Sequence, residues 1–174
     1  MTGAPPSLRP ARHDDIVALQ EIERAADTRF AGVGHPELAD GAVMPDDAAA
    51  RAIDGGRITV AEVDGVAVGF VVRGMLGAEP SIAQLSVLPT AGRRGVGTAL
   101  LEHALDEALA GGHATMVLVT QSDVPWNRPF YERRGFEVVP ESAWTPAMRA
   151  AMDAQATAGL DRATRVQMRR RLRA

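Results

Sequence analysis

The stretch Leu85-Ser86-Val87-Leu88-Pro89-Thr90-Ala91-Gly92-Arg93-Arg94-Gly95-Val96-Gly97-Thr98 constrains the fold more than any other part of this chain. Its first half is an apolar run stopped by Pro89, which reads as a strand. Beyond it, Leu100, Leu101, Ala104, Leu105, Ala108 and Leu109 recur at the spacing of one helix face, and Gly111-Gly112 closes that helix. Between strand and helix lie two arginines and the glycines 92, 95 and 97. The unbonded N–H groups and dipole at the head of a helix favour an anion. Glycine lets the backbone come close to it, and Arg93 and Arg94 add charge and forked donors. The spacing lacks the third glycine of a dinucleotide fingerprint, Leu100 standing in its place, and there is no Gly-Lys-Ser/Thr of a P-loop. A phosphate-bearing ligand and a turn whose glycines serve only packing are even alternatives on this ground alone.

The rest of the chain supplies partners for that unit. Leu8–Ala11 reads as a short edge strand after a loose opening, residues 1–7. Asp14 offers a helix cap, and Ile16, Leu19, Ile22, Ala26 and Phe30 share one helical face. Glycines and prolines break the pattern over Ala31–Pro45, and Asp46–Ile53 is a short helix. Arg57–Val63 and Val66–Arg73 are strands joined by Asp64-Gly65, a hairpin signal. Ser81–Leu88 is the strand before the glycines. Strands at Thr115–Thr120, Phe136–Val139 and Ala163–Leu172 alternate with helices at Trp126–Arg134 and from Thr145-Pro146 to Gly159. Hairpins mixed with strand–helix–strand units imply an α/β (α+β) fold, a mixed sheet covered by helices in a single domain over residues 1–174.

Composition excludes several chemistries. With 46% hydrophobic residues the chain can bury a core, but only 4% are aromatic, so aliphatic side chains and Met must fill it. The net charge of −3 argues against nucleic-acid or membrane partners. There is no cysteine, hence no disulfide, thiolate metal site or Cys nucleophile. The histidines at 13, 35, 103 and 113 show no metal-ligand spacing. No signal-like or membrane-spanning run is visible, and a cytoplasmic location is expected.

The glycine segment resembles the pyrophosphate loop of the GNAT N-acetyltransferases: Gln or Arg, two residues, Gly, one residue, then Gly or Ala. Gly95 and Gly97 occupy the small positions, while Gly92 stands where the Gln or Arg side chain belongs. A second segment, Trp126-Asn127-Arg128-Pro129-Phe130-Tyr131 with Gly135-Phe136 behind it, looks like the other GNAT cofactor segment in a bacterial subgroup. The resemblance covers about Leu8–Leu172 and is weakest at Ala31–Pro45. It implies a mostly antiparallel twisted sheet of six or seven strands flanked by helices. It implies acetyl-CoA as co-substrate, its pyrophosphate on the amides of Gly92, Arg93, Arg94, Gly95, Val96, Gly97 and Thr98, and its pantetheine on the backbone of Leu85, Ser86 and Val87. Asn127, Pro129 and Phe130 would complete that wall. Asn127 also suits a helix cap.

Tyr131, the one tyrosine of the chain, is implied as the acid for the departing thiolate; a packed ring with its hydroxyl in water is the bland alternative. Relatives often carry Glu just before a Gln on the strand; here Ala83 precedes Gln84, which weakens a strand base. Glu23 lies within the apolar arc of the first helix and is the alternative base, a salt bridge to a nearby arginine being the competing role. Glu21, Asp27, His35 and Asp123 are weaker candidates. The acceptor is a small-molecule or peptide amine, attacked directly in a ternary complex. A non-catalytic acyl-CoA-binding module is the alternative function. The arginines at 165, 169, 170, 171 and 173 read as a solvated strand face, with a homodimer contact as the other use of it. No aromatic stands there to stack a base.

Overall fold

The computed structural model describes residues 5–173. In chain order these form β1 (Ser7–Pro10), α1 (Ile16–Ala31), α2 (Pro36–Ala39), α3 (Asp46–Asp54), β2 (Ile58–Val63), β3 (Val66–Leu76), β4 (Glu79–Val87), α4 (Val96–Ala110), β5 (Thr115–Gln121), α5 (Arg128–Glu132), β6 (Glu137–Val138), α6 (Pro146–Thr157) and β7 (Arg165–Arg171). The strands hydrogen-bond in the order β1-β2-β3-β4-β5-β7-β6. β4 runs parallel to β5, whereas β1–β2, β2–β3, β5–β7 and β6–β7 are antiparallel. This is the mixed, mostly antiparallel sheet that the sequence implies. The first four residues of the expected loose opening lie outside the described residues, and Ser7 already belongs to β1.

The chain forms two compact units, one of residues up to Arg73 with Gln84–Ala104, the other of Gly74–Ala83 with residues from Leu105 on. In the first, Asp64 (φ 52°) and Gly65 (φ 76°) turn β2 into β3, both left-handed as a two-residue hairpin demands. Leu19 and Ile22 of α1 and Ala52 of α3 pack on Ile58, Val60, Phe70 and Val72. Apolar side chains of this size stabilise by about 1.5–3 kcal/mol each when fully buried. The entry to α1 differs from expectation. Asp14 does not cap it; a 3-10 turn at His13–Asp15 comes first, and Asp15 accepts the Arg12 N–H at 2.7 Å and the Arg9 guanidinium at 2.7 and 2.8 Å. The strand residue Arg9 selects which of two adjacent aspartates is used.

In the second unit Val117, Val139 and Met148 form a core with Leu76 and Trp144 packed against it. Thr145 caps α6 by accepting the Met148 N–H at 3.2 Å, and Gly159 (φ 87°) follows the helix. Glu79 accepts from Arg169 at 2.7 and 2.9 Å and from Thr115 at 2.7 Å. Two expected elements are shorter. The helix at Trp126–Arg134 contracts to Arg128–Glu132, because Asn127 N–H bonds Val124 O at 3.1 Å and makes the preceding residues a turn. The strand at Phe136–Val139 contracts to Glu137–Val138, opposite Arg169 and Met168. β3 and β4 run longer than expected and meet at Gly77-Ala78, with Gly77 at φ 64°.

Candidate active site

In the first unit the strand, turn and helix stand as expected. β4 ends at Val87, a 3-10 turn spans Pro89–Ala91, and Gly92 is extended at φ −60°, ψ 152°. Arg93 (φ 62°) and Gly95 (φ 82°) are both left-handed. For a residue with a side chain that conformation costs about 1–2 kcal/mol, so the turn is held at Arg93 against its preference. The first bond of the α4 ladder runs from Ala99 N–H to Gly95 O at 2.9 Å, with Val96 and Gly97 in front of it. A Cβ on Gly95 would meet nothing within 4 Å, so the space over the turn is open. Arg93 and Arg94 are exposed beside it. Buried Val96, Leu100 and Leu101 anchor the helix behind. The turn thus offers convergent N–H groups, a helix dipole and two cations to an anion.

Leu85, Ser86 and Val87 lead into this turn. The β4–β5 ladder holds Ser81 with Val117 and Ile82 with Leu118. Past Ile82 no register pair joins the two strands among the described residues, so Leu85–Val87 keep an unpaired backbone edge. On the other side β3 comes close. A Cβ on Gly69 would stand 2.9 Å from Ser86 O and 3.2 Å from the side chains of Val87 and Val96. Only glycine permits that approach, which seats the strand end and the helix start together. Sequence reading missed Gly69; a glycine inside an apolar strand is the available signal.

Glu23 of α1 is buried at 9% exposure. It does not form the salt bridge weighed for it; its Oε2 accepts the Met44 N–H at 2.8 Å, pinning the irregular loop to the helix. One turn on, burial first and the Glu23 charge second push the Asp27 carboxyl up to about 6. Sequence reading ranked Asp27 below Glu23, although the four-residue spacing puts both on one helix face. His35 is buried with Nδ1 3.0 Å from Glu37 Oε1. Glu21 and Asp123 are exposed.

The second unit holds the remaining candidates. Tyr131 is half-buried. Its ring meets Phe130 edge-on at 5.1 Å and Phe136 at 5.7 Å. Burial pushes its phenol up to about 12, with Arg134 acting in the opposite direction. Among the described residues its hydroxyl has no hydrogen-bond partner. Asn127 occupies the cap position of α5 but makes no side-chain cap bond, a correction to that role. Its Nδ2 donates instead to Gln121 Oε1 at 2.6 Å, a buried amide at the end of β5 that sequence reading passed over. Pro129 and Phe130 are half-buried, and the Arg134 guanidinium lies 3.7 Å from the Phe130 ring centroid. Among the described residues no three His, Asp or Glu side chains cluster as metal ligands, and no helix is long and apolar enough to cross a membrane.

A mixed sheet with an open strand edge running into an anion-receptive turn at a helix head defines a class of α/β proteins rather than one member. The comparisons sharpen it. Residues 54–138 match the family model of the acetyltransferase (GNAT) domain. Among solved structures, N-acetylglutamate synthase from Neisseria gonorrhoeae aligns at 21% identity and a TM-score of 0.74, over 98% of this chain and 36% of that one. The chain therefore spans about a third of the synthase. The PaiA N-acetyltransferase from Thermoplasma acidophilum aligns at 15% identity and a TM-score of 0.73, over 97% of this chain and 99% of that one. The ribosomal-protein-S18-alanine N-acetyltransferase from Escherichia coli gives 18% identity and a TM-score of 0.67, over 98% and 96%. These likenesses show a shared fold, and residues 54–138 match the acetyltransferase (GNAT) domain model.

Proposed function

We propose that this protein is an acetyl-CoA-dependent N-acetyltransferase acting on a primary amine. The observation that carries the reading is the turn from Gly92 to Thr98 at the head of α4, entered from a strand end with an unpaired edge, inside the matched GNAT domain. The synthase similar to this chain was solved with coenzyme A and N-acetyl-glutamate, and PaiA with coenzyme A, which supports the same ligand here. In this reading the amides beyond Gly92, as far as Thr98, with the Arg93 and Arg94 side chains, receive the pyrophosphate; the Gly92 N–H itself is taken by Pro89 O at 3.1 Å. The open edge of Leu85–Val87 receives the pantetheine amides as an added strand would be received. The resemblance adds Asn127, Pro129 and Phe130 as further contacts to the cofactor.

The amine nitrogen attacks the thioester carbonyl, a C–N bond forms and the C–S bond breaks; the amine proton passes to a base, and the departing thiolate takes a proton from solvent. Asp27 takes the amine proton, directly or through water, and Glu23 positions it by fixing the loop at Met44 and by its charge. Tyr131 serves the sulfur. A thiol titrates near 8.5, so complete transfer from a phenol held near 12 to a free thiolate runs uphill. Its contribution is a hydrogen bond that strengthens as charge grows on sulfur. We further place the activity in a reducing compartment, consistent with the absence of cysteine.

Calorimetric titration with acetyl-CoA, with NADH as control, and a thiol-release assay over an amine panel test this reading. Selective acetyl-CoA binding with amine-dependent release is the expected result. Binding without release on any amine leaves either an acceptor outside the panel or the acyl-CoA-binding module. No binding refutes both.

A further inference from the structure

The second unit contains a cavity of about 250 Å³ that none of the assignments above uses. At ~30 Å³ per water molecule it has room for about eight waters, the scale of a small amino acid. The register explains its walls. Ser81 opposes Val117, Val119 opposes Gln167 and Arg165 opposes Gln121, so Ser81, Ala83, Val119 and Arg165 project from one face of the sheet. Helix α6 contributes Ala151 and Gln155 to the lining. Ala83, whose side chain is a single methyl, leaves the space open.

Arg165 is the one charged side chain of the lining. Its Nε donates to Gln155 Oε1 at 2.8 Å, which fixes the guanidinium plane and leaves both Nη groups for another acceptor. Among the described residues no carboxylate pairs with it. Three acids of this unit are engaged elsewhere: Glu79 with Arg169 at 2.7 Å, and Glu141 and Asp153 with Arg162, each at 2.7 Å. Burial lowers the Arg165 pKa from its ordinary value. A guanidinium cannot relieve desolvation by losing its proton near neutral pH, so the fitting relief is an anion. The planar fork of Arg suits a carboxylate bidentately.

We propose that this cavity is the carboxylate-binding end of the acceptor site, and that the acetylated amine is a small molecule bearing a carboxylate, gripped by Arg165 with Gln155 as its positioning residue. The proposal rests on the acetyltransferase reading and names its substrate class. Strand β4 runs from Ser81 and Ala83 at this cavity directly into Leu85–Val87, the stretch assigned to pantetheine.

Turnover is measured on matched pairs, alanine, serine, leucine and glutamine each against its primary amide. The wild type is expected to favour the carboxylates at least tenfold in kcat/KM. Arg165→Gln raises KM for the carboxylates at least tenfold, abolishes the preference and leaves acetyl-CoA affinity unchanged, and Arg165→Lys restores part of it. Ala83→Leu, which narrows the cavity from β4 and leaves the Arg165 side chain in place, gives the same loss and serves if Arg165→Gln does not fold. Equal turnover within the pairs, or KM insensitive to both variants, overturns the proposal. Calorimetric binding of the corresponding N-acetyl amino acids, with and without coenzyme A, separates the two readings. Binding that Arg165→Gln removes sustains the cavity even where acetyl-CoA binding fails. Absence of such binding beside normal acetyl-CoA binding rejects the cavity alone.

Discussion

Burial holds the Tyr131 phenol protonated and brings the Asp27 carboxyl into the range where a base is useful. With the phenol near 12, turnover should show no alkaline fall from Tyr131 below about pH 10. Tyr131→Phe keeps the ring and its edge-on contacts and removes only the hydroxyl. It should lower kcat on the order of a hundredfold with acetyl-CoA affinity unchanged; wild-type kcat in the variant would remove Tyr131 from the chemistry. For Asp27, kcat/KM should rise with pH through an apparent pKa near 6. Asp27→Asn should abolish that limb along with most of the rate, whereas an unchanged profile would assign the limb to another group. These two residues also show what a sequence can say of a site. Residue type and spacing nominate both, but the order between Asp27 and Glu23 depends on which carboxylate meets the Met44 N–H, a contact across 21 positions.

At the scale of elements, two glycines fix the β4–turn–α4 unit for different reasons. Gly95 sits at φ 82° with open space beyond its Cα. Gly95→Val should cost about 1–2 kcal/mol in backbone strain. It should also weaken coenzyme A binding by more than tenfold, because the side chain enters the anion's place. Calorimetry on the folded variant checks this, and unchanged affinity would count against the loop assignment. Gly69 has ordinary backbone but no room, its Cβ position lying 2.9 Å from Ser86 O. Gly69→Ala must push β4 or α4 outward, at a cost of about 1–3 kcal/mol in urea unfolding. The glycine-rich turn announced itself by its pattern, and the Asp64-Gly65 hairpin did so likewise. The contraction of α5 was less visible, because the run from Trp126 to Arg134 is consistent with a helix until Val124 O takes the Asn127 N–H.

At the scale of the whole molecule, three shifted carboxyls that are at least partly buried predict how stability varies with pH. Asp15 is held below its ordinary value chiefly by the Arg9 hydrogen bonds. Burial pushes Glu79 upward, but the bonds from Arg169 and Thr115 prevail and leave it lowered. The stability that these two contribute is present above about pH 4 and is lost as pH falls through their lowered values. Asp27 acts in the opposite sense, its contribution being complete below about 4 and lost as pH rises through about 6. From these groups the urea midpoint should be higher at pH 5 than at pH 8, and Asp27→Asn should flatten that difference; a difference that persists in the variant must arise elsewhere. The order of strands and helices and the two tight turns were legible in the chain, because they depend on periodicity and backbone freedom within a few residues. Only the tertiary structure decided that β4 loses its β5 partner after Ile82, that Asn127 turns to Gln121, and that Arg165 lines a cavity while Arg169 and Arg162 take the nearby acids. Each of those outcomes is decided by packing, which selects among alternatives that local pattern leaves open.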